Sequence, residues 1–171
     1  MIDLLKILAG GDLRSIGRSN AMAKQISTQR QFNKLFDGLF HPDRLIVMRA
    51  ADAIEKITLE KQHYLEAHKQ SLLGLLKSAD DKELKWHLAL LVSRLKLTRS
   101  ELGKVWATLS RWALDARESR IVRVNSVQGL FDLLKQGPGL RNDFELTLVQ
   151  LEREEVPSIR ARIRNLRKSL A

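Results

Sequence analysis

VRVNSVQGLFDL, residues 122–133, opens on an aliphatic residue followed by a base, with small or apolar residues at offsets four, seven, eight and eleven. These positions are Val122, Arg123, Ser126, Gly129, Leu130 and Leu133. On a helix of 3.6 residues per turn, such offsets share one side and make an apolar stripe. The pattern recurs as Leu84, Lys85, Leu88, Leu91, Val92 and Leu95, and as Ile46, Val47, Ala50, Ala53, Ile54 and Ile57. A weaker copy runs Ile159, Arg160, Ile163, Leu166 and Leu170. Another begins at Leu13, Arg14 and Gly17, with Asn20 where a small apolar residue is expected. The starts at 13, 46, 84, 122 and 159 are spaced by 33, 38, 38 and 37 residues. A near-constant period of that size is the signature of a stacked two-helix unit.

The striped copies are read as the inner helices of successive pairs, and the segments between them as outer helices at about 2–8, 29–40, 63–78, 99–116 and 140–154. Each longer outer segment has its own apolar face: Phe32, Leu35, Phe36, Leu39 and Phe40 in one, Leu102, Val105, Trp106, Leu109 and Trp112 in another. Gly10-Gly11-Asp12, His41-Pro42-Asp43, Asp80-Asp81 and Gly137-Pro138-Gly139 fall where the chain must turn. Pro157 falls at a helix start, where its missing N–H is harmless.

Composition agrees. The 171 residues are 44% hydrophobic, which excludes intrinsic disorder, and three prolines and nine glycines leave long helix-compatible stretches. Cysteine is absent, which excludes disulfide and thiolate chemistry. No apolar run approaches the ~20 residues needed to span a bilayer, and the first residues lack the pattern of a signal peptide, so a cytoplasmic protein is expected.

The stretches IVMRAADAI (46–54) and VRVNSVQGL (122–130) make the chain resemble the HEAT-repeat family, and more narrowly small bacterial HEAT-repeat proteins with no assigned activity. The resemblance covers nearly the whole chain. It implies an all-α fold, a right-handed α-α superhelix of about five HEAT-like helix pairs. Residues 1–171 then form a single domain with repeats near 1–27, 29–59, 62–96, 98–136 and 138–171. In that family the base after the first aliphatic residue often pairs with an acid near the preceding turn. Lys85 with Asp81 fits, while Val47 departs.

No catalytic signature emerges. His63 and His68 are five residues apart and lie on different helix faces, His41 and His87 are isolated, and the glycine pairs lack the strand–turn–helix setting of a phosphate loop. Asp80, Asp81 and Glu83 are expected to cap a helix start. No catalytic, metal or cofactor residue is assigned, and a non-enzymatic protein is expected.

The expected binding surface follows from stacking. Offset two of the inner helices gives Met48, Trp86 and Val124, a strip on the concave face with Leu90 and Phe131 close by. Offset three gives Arg49, His87, Asn125 and Arg162, and offset five gives Arg164. A groove with a Trp anchor and a basic edge suits an acidic or amphipathic protein or peptide. The competing reading packs Trp86 against a neighbour. Armadillo-type peptide binders place Asn four residues after such a Trp, where this chain has Leu90.

Nucleic acid is the alternative partner. Net charge is +10, and Arg160, Arg162, Arg164, Arg167 and Lys168 crowd the last helix without an acid among residues 156–171. HEAT-like alkylpurine DNA glycosylases hold duplex DNA in a basic concave cleft. Here, however, the bases are spread around the helix, which weakens a phosphate-tracking role. Membrane attachment is not expected, since the apolar side of this helix coincides with the repeat's core positions.

Overall fold

The computed structural model describes Leu8 and residues 17–170. The expected first outer helix (2–8, apart from Leu8), the Gly10-Gly11-Asp12 turn and the Leu13-Arg14 start lie outside the described residues. Among the described residues every regular element is helical: α1 (Gly17–Gln25), α2 (Gln29–Phe36), α3 (Arg44–Ile57), α4 (Lys69–Ser78), α5 (Lys82–Val92), α6 (Arg99–Leu114), α7 (Arg120–Leu133), α8 (Arg141–Glu152) and α9 (Pro157–Leu170). Short 3-10 turns lie at Asp37–Phe40, Gln62–His68 and Pro138–Leu140.

Local chemistry sets the helix starts. Thr28 and Thr98 each form a reciprocal capping box, with Gln31 and Glu101 respectively. The Asp43 carboxylate accepts from the Leu45 N–H at 2.8 Å and so begins α3. Asp81 precedes α5, but its side chain makes no capping bond, contrary to the expectation for that acidic turn. Pro157 is the first residue of α9.

The backbone divides into two compact units, Met1–His68 and Lys69–Ala171. In the first, α1 and α2 both pack on α3. The 3-10 turn Gln62–His68 takes up what the sequence predicts as the opening turns of an outer helix. Tyr64 pins it: its hydroxyl donates to the Ser27 carbonyl at 2.8 Å, and its ring lies 5.2 Å from Phe32.

In the second unit, α5, α7 and α9 pack side by side as one layer. The α4, α6 and α8 helices form the other, each pair joined by a short turn. The repeat's stripe is the seam. Leu88, Leu91, Val92 and Leu95, then Val122, Ser126, Leu130 and Leu133, then Ile159 and Ile163 are fully enclosed. In the first unit Ala50, Ala53 and Ile54 are equally enclosed. Small residues at offset seven permit close approach: a Cβ on Gly129 would sit 2.4 Å from the Ala89 carbonyl oxygen.

The first copy has a different register from the one expected. Ser19, Met22 and Ile26 are buried, whereas Asn20 is exposed and accepts from Lys56 Nζ at 2.6 Å. Among the described residues the stripe is therefore shifted from the expected register, and the Ser19 hydroxyl is directed at the Asp52 carboxylate of α3. A polar residue at a core position concealed that register.

Candidate functional site

The stripe leaves an opposite arc on each inner helix, and on α5 and α7 this arc is half-buried. It carries Trp86 and Leu90 on α5 and Val124 and Gln128 on α7, with Ala161 and Arg162 half-buried on α9. The Trp86 ring lies against its neighbour His87, with centroids 3.3 Å apart and planes inclined by 31°. The apolar part of the face passes into a polar chain. Arg162 donates to Gln128 Oε1 at 2.6 Å, and Gln128 Nε2 donates to Asp132 Oδ1 at 2.9 Å. Burial pushes the Asp132 carboxyl up from its usual range, opposed by the Gln128 hydrogen bond and by Lys135, Arg94 and Arg162.

Of the offset-three row only Arg162 reaches this face. His87 is wholly enclosed and Asn125 is 8% exposed, because an inner helix packs against its inner neighbours as well as against its outer partner. In the first unit, Arg49 is also wholly enclosed and donates to the Leu8 carbonyl at 2.6 Å; Met48 is 9% exposed. Of the eight expected surface residues, Trp86, Val124 and Arg162 are half-buried and Arg164 is exposed. Phe131 points elsewhere: its ring lies 6.1 Å from Phe144 of α8. Trp106 and Trp112 are core, as expected, and Trp106 Nε1 donates to Asp143 at 2.6 Å.

The base at offset one also reaches a partner far along the chain. Lys85 Nζ bonds Glu118 at 2.5 Å and lies over the Trp112 ring at 5.6 Å, while Asp81 offers its backbone carbonyl to the Lys85 N–H. Arg123 donates to the Ala113 carbonyl at 2.9 Å and to Glu154 at 2.5 Å. In both cases the base reaches the acid before the following inner helix, tying one pair to the next. Sequence spacing alone misses this because the two partners are 33 and 31 residues apart.

The C-terminal bases are mostly engaged. Arg160 donates to the Glu152 carbonyl and to Glu155, and Arg167 bonds Glu145 and Glu152, which leaves Arg164 and Lys168 exposed on α9. His63 packs edge-on against Tyr64; His68 stacks on Phe36 with centroids 3.9 Å apart, and its Nε2 lies 2.8 Å from Asn33 Oδ1. Burial lowers the His68 pKa, against the raising effect of Asp37. Among the described residues no group of three or more His, Asp or Glu is placed to hold a metal ion, and no helix is long and apolar enough to cross a membrane.

A sequence model of the family described as HEAT repeat domain matches residues 14–170. No curated protein and no solved structure matches the chain.

Proposed function

Since the chain belongs to the HEAT repeat domain family, whose members generally serve as protein-interaction scaffolds, we propose that it is a non-enzymatic scaffold holding a protein or peptide on the α5–α7–α9 face. The observation that carries this reading is Trp86, a large apolar side chain on the solvent side of an inner layer whose seam is already filled by the repeat stripe. Leu90 and Val124 extend the apolar area, and the Arg162–Gln128–Asp132 chain supplies a polar edge that can orient a partner backbone. Interface energy concentrates in such half-enclosed aromatic and Arg side chains.

The test is affinity capture from native lysate with wild type and Trp86→Ala, each with and without nuclease. The scaffold reading predicts a protein retained by wild type, lost with Trp86→Ala and indifferent to nuclease. Retention that Trp86→Ala leaves intact contradicts it. Capture abolished by nuclease, together with retention of nucleic acid that falls steeply with added salt, replaces it with the nucleic-acid reading. Pairing of Arg160 and Arg167 with carboxylates already weighs against that alternative.

A further inference from the structure

Two apolar clefts flank the Gly137-Pro138-Gly139 turn of the second unit. The larger, of about 640 Å³, is walled by Leu97, Leu102 and Leu140, with Arg99 beside them. The smaller, of about 250 Å³, is walled by Phe131, Leu134 and Pro138, with Lys135 and Arg141 beside them. Among the described residues, no acidic side chain lines either cleft.

The larger cleft is built into the fold. Gln136 accepts from the Leu97 N–H at 3.0 Å and donates to the Leu95 carbonyl at 2.8 Å, which fastens the segment before α6 to the end of α7 and holds the wall in place. Gly103 and Gly139 contribute no side chain to the space, and a Cβ at either would meet nothing within 4 Å. The nearby acid Glu101 is committed to Lys69 Nζ at 2.6 Å and to the Thr98 N–H at 2.8 Å, so it does not offset the positive rim.

We propose that this edge docks an acidic peptide segment with two apolar anchors. One anchor enters the Leu97–Leu102–Leu140 cleft and the other the Phe131–Leu134–Pro138 cleft, and the intervening carboxylates face Arg99 and Lys135. Charge complementarity selects the occupant. Apolar depressions favour aliphatic or aromatic side chains, and a rim carrying only bases favours acidic neighbours and rejects basic ones. Trp86 lines neither cleft.

The probe is a fluorescein-labelled dodecapeptide alternating Leu or Phe with Glu, read by anisotropy beside a twin with Lys at every Glu. Wild type is expected to bind the acidic peptide at least about ten-fold tighter than the twin. Gly103→Phe fills the larger cleft, and the double variant Arg99→Glu with Lys135→Glu inverts the rim. Each is expected to weaken binding at least about ten-fold, with Trp86→Ala unchanged. No binding by wild type, equal binding of the twin, or full affinity in a folded Gly103→Phe protein overturns the proposal. Loss confined to Trp86→Ala also overturns it and assigns the peptide to the inner face. Displacement of the peptide by an oligodeoxythymidylate assigns the edge to nucleic acid instead. Should Gly103→Phe fail to fold by circular dichroism, the charge-inverted pair decides alone.

Discussion

Gly129 illustrates how a single position reports on packing that helix propensity ignores. In an exposed helix interior, Gly→Ala gains about 1 kcal/mol. At Gly129 the added carbon would press on the Ala89 carbonyl oxygen at 2.4 Å and on Leu109 at 2.9 Å, and backbone cannot step aside as a flexible side chain does. Gly129→Ala is therefore expected to destabilise by about 1–3 kcal/mol, whereas Gly74→Ala, with nothing within 4 Å, gains about 0.5–1 kcal/mol; urea unfolding midpoints measure both. Two titrations have opposite signs. Burial depresses the His68 pKa, so its neutral ring stabilises the fold above the unfolded value of 6.5, and that contribution is lost as pH falls below it. His68→Phe, which keeps the stack on Phe36, should flatten the decline in stability on acidification. The Asp132 pKa is raised, so its ionised form costs stability above the folded value, and the cost disappears as pH falls toward 3.8. Asp132→Asn should therefore be the more stable protein at neutral pH and match wild type near pH 3.8.

At the scale of elements, what links one helix pair to the next is the apolar seam together with a base reaching forward. The Arg123 side chain is 4% exposed and satisfies both the Ala113 carbonyl and Glu154, while the Lys85 side chain is 14% exposed beside Glu118. Removing the more deeply buried base leaves a carbonyl without its donor, so Arg123→Ala is expected to cost about 2–3 kcal/mol and Lys85→Ala about 1 kcal/mol. A double-mutant cycle with Glu154→Ala isolates the ion pair from the carbonyl contact. The stripe was legible in the sequence because a 3.6-residue period survives almost any substitution that keeps the side chain small or apolar. Two things were not legible. A helical wheel represents one packing partner, but α7 touches α5 and α9 as well as α6, and that is what encloses Asn125 and His87. In α1 the core position held by Ser19 is polar, so the hydrophobic pattern pointed to another register there.

For the molecule as a whole, the family match from residue 14 to 170 spans both compact units, so the repeat is a property of nearly the entire chain. The fold class was readable because it depends on periodic burial. The proposed binding surface was only partly readable, because it depends on which half-buried side chains remain after every neighbour has packed. Trp86, Val124 and Arg162 remain, and Arg49, His87 and Asn125 do not. Net charge says little about this face by itself, since most bases of α9 are engaged by carbonyl or carboxylate oxygens or by Gln128. The scaffold reading of the α5–α7–α9 face turns on whether Trp86 is an anchor on a surface or a piece of the core, and the unfolding free energy of Trp86→Ala beside that of Trp112→Ala separates the two. A surface anchor loses about 1 kcal/mol while the buried Trp112 loses about 3–5 kcal/mol; a loss at Trp86 as large as that at Trp112 makes it core and contradicts the scaffold reading.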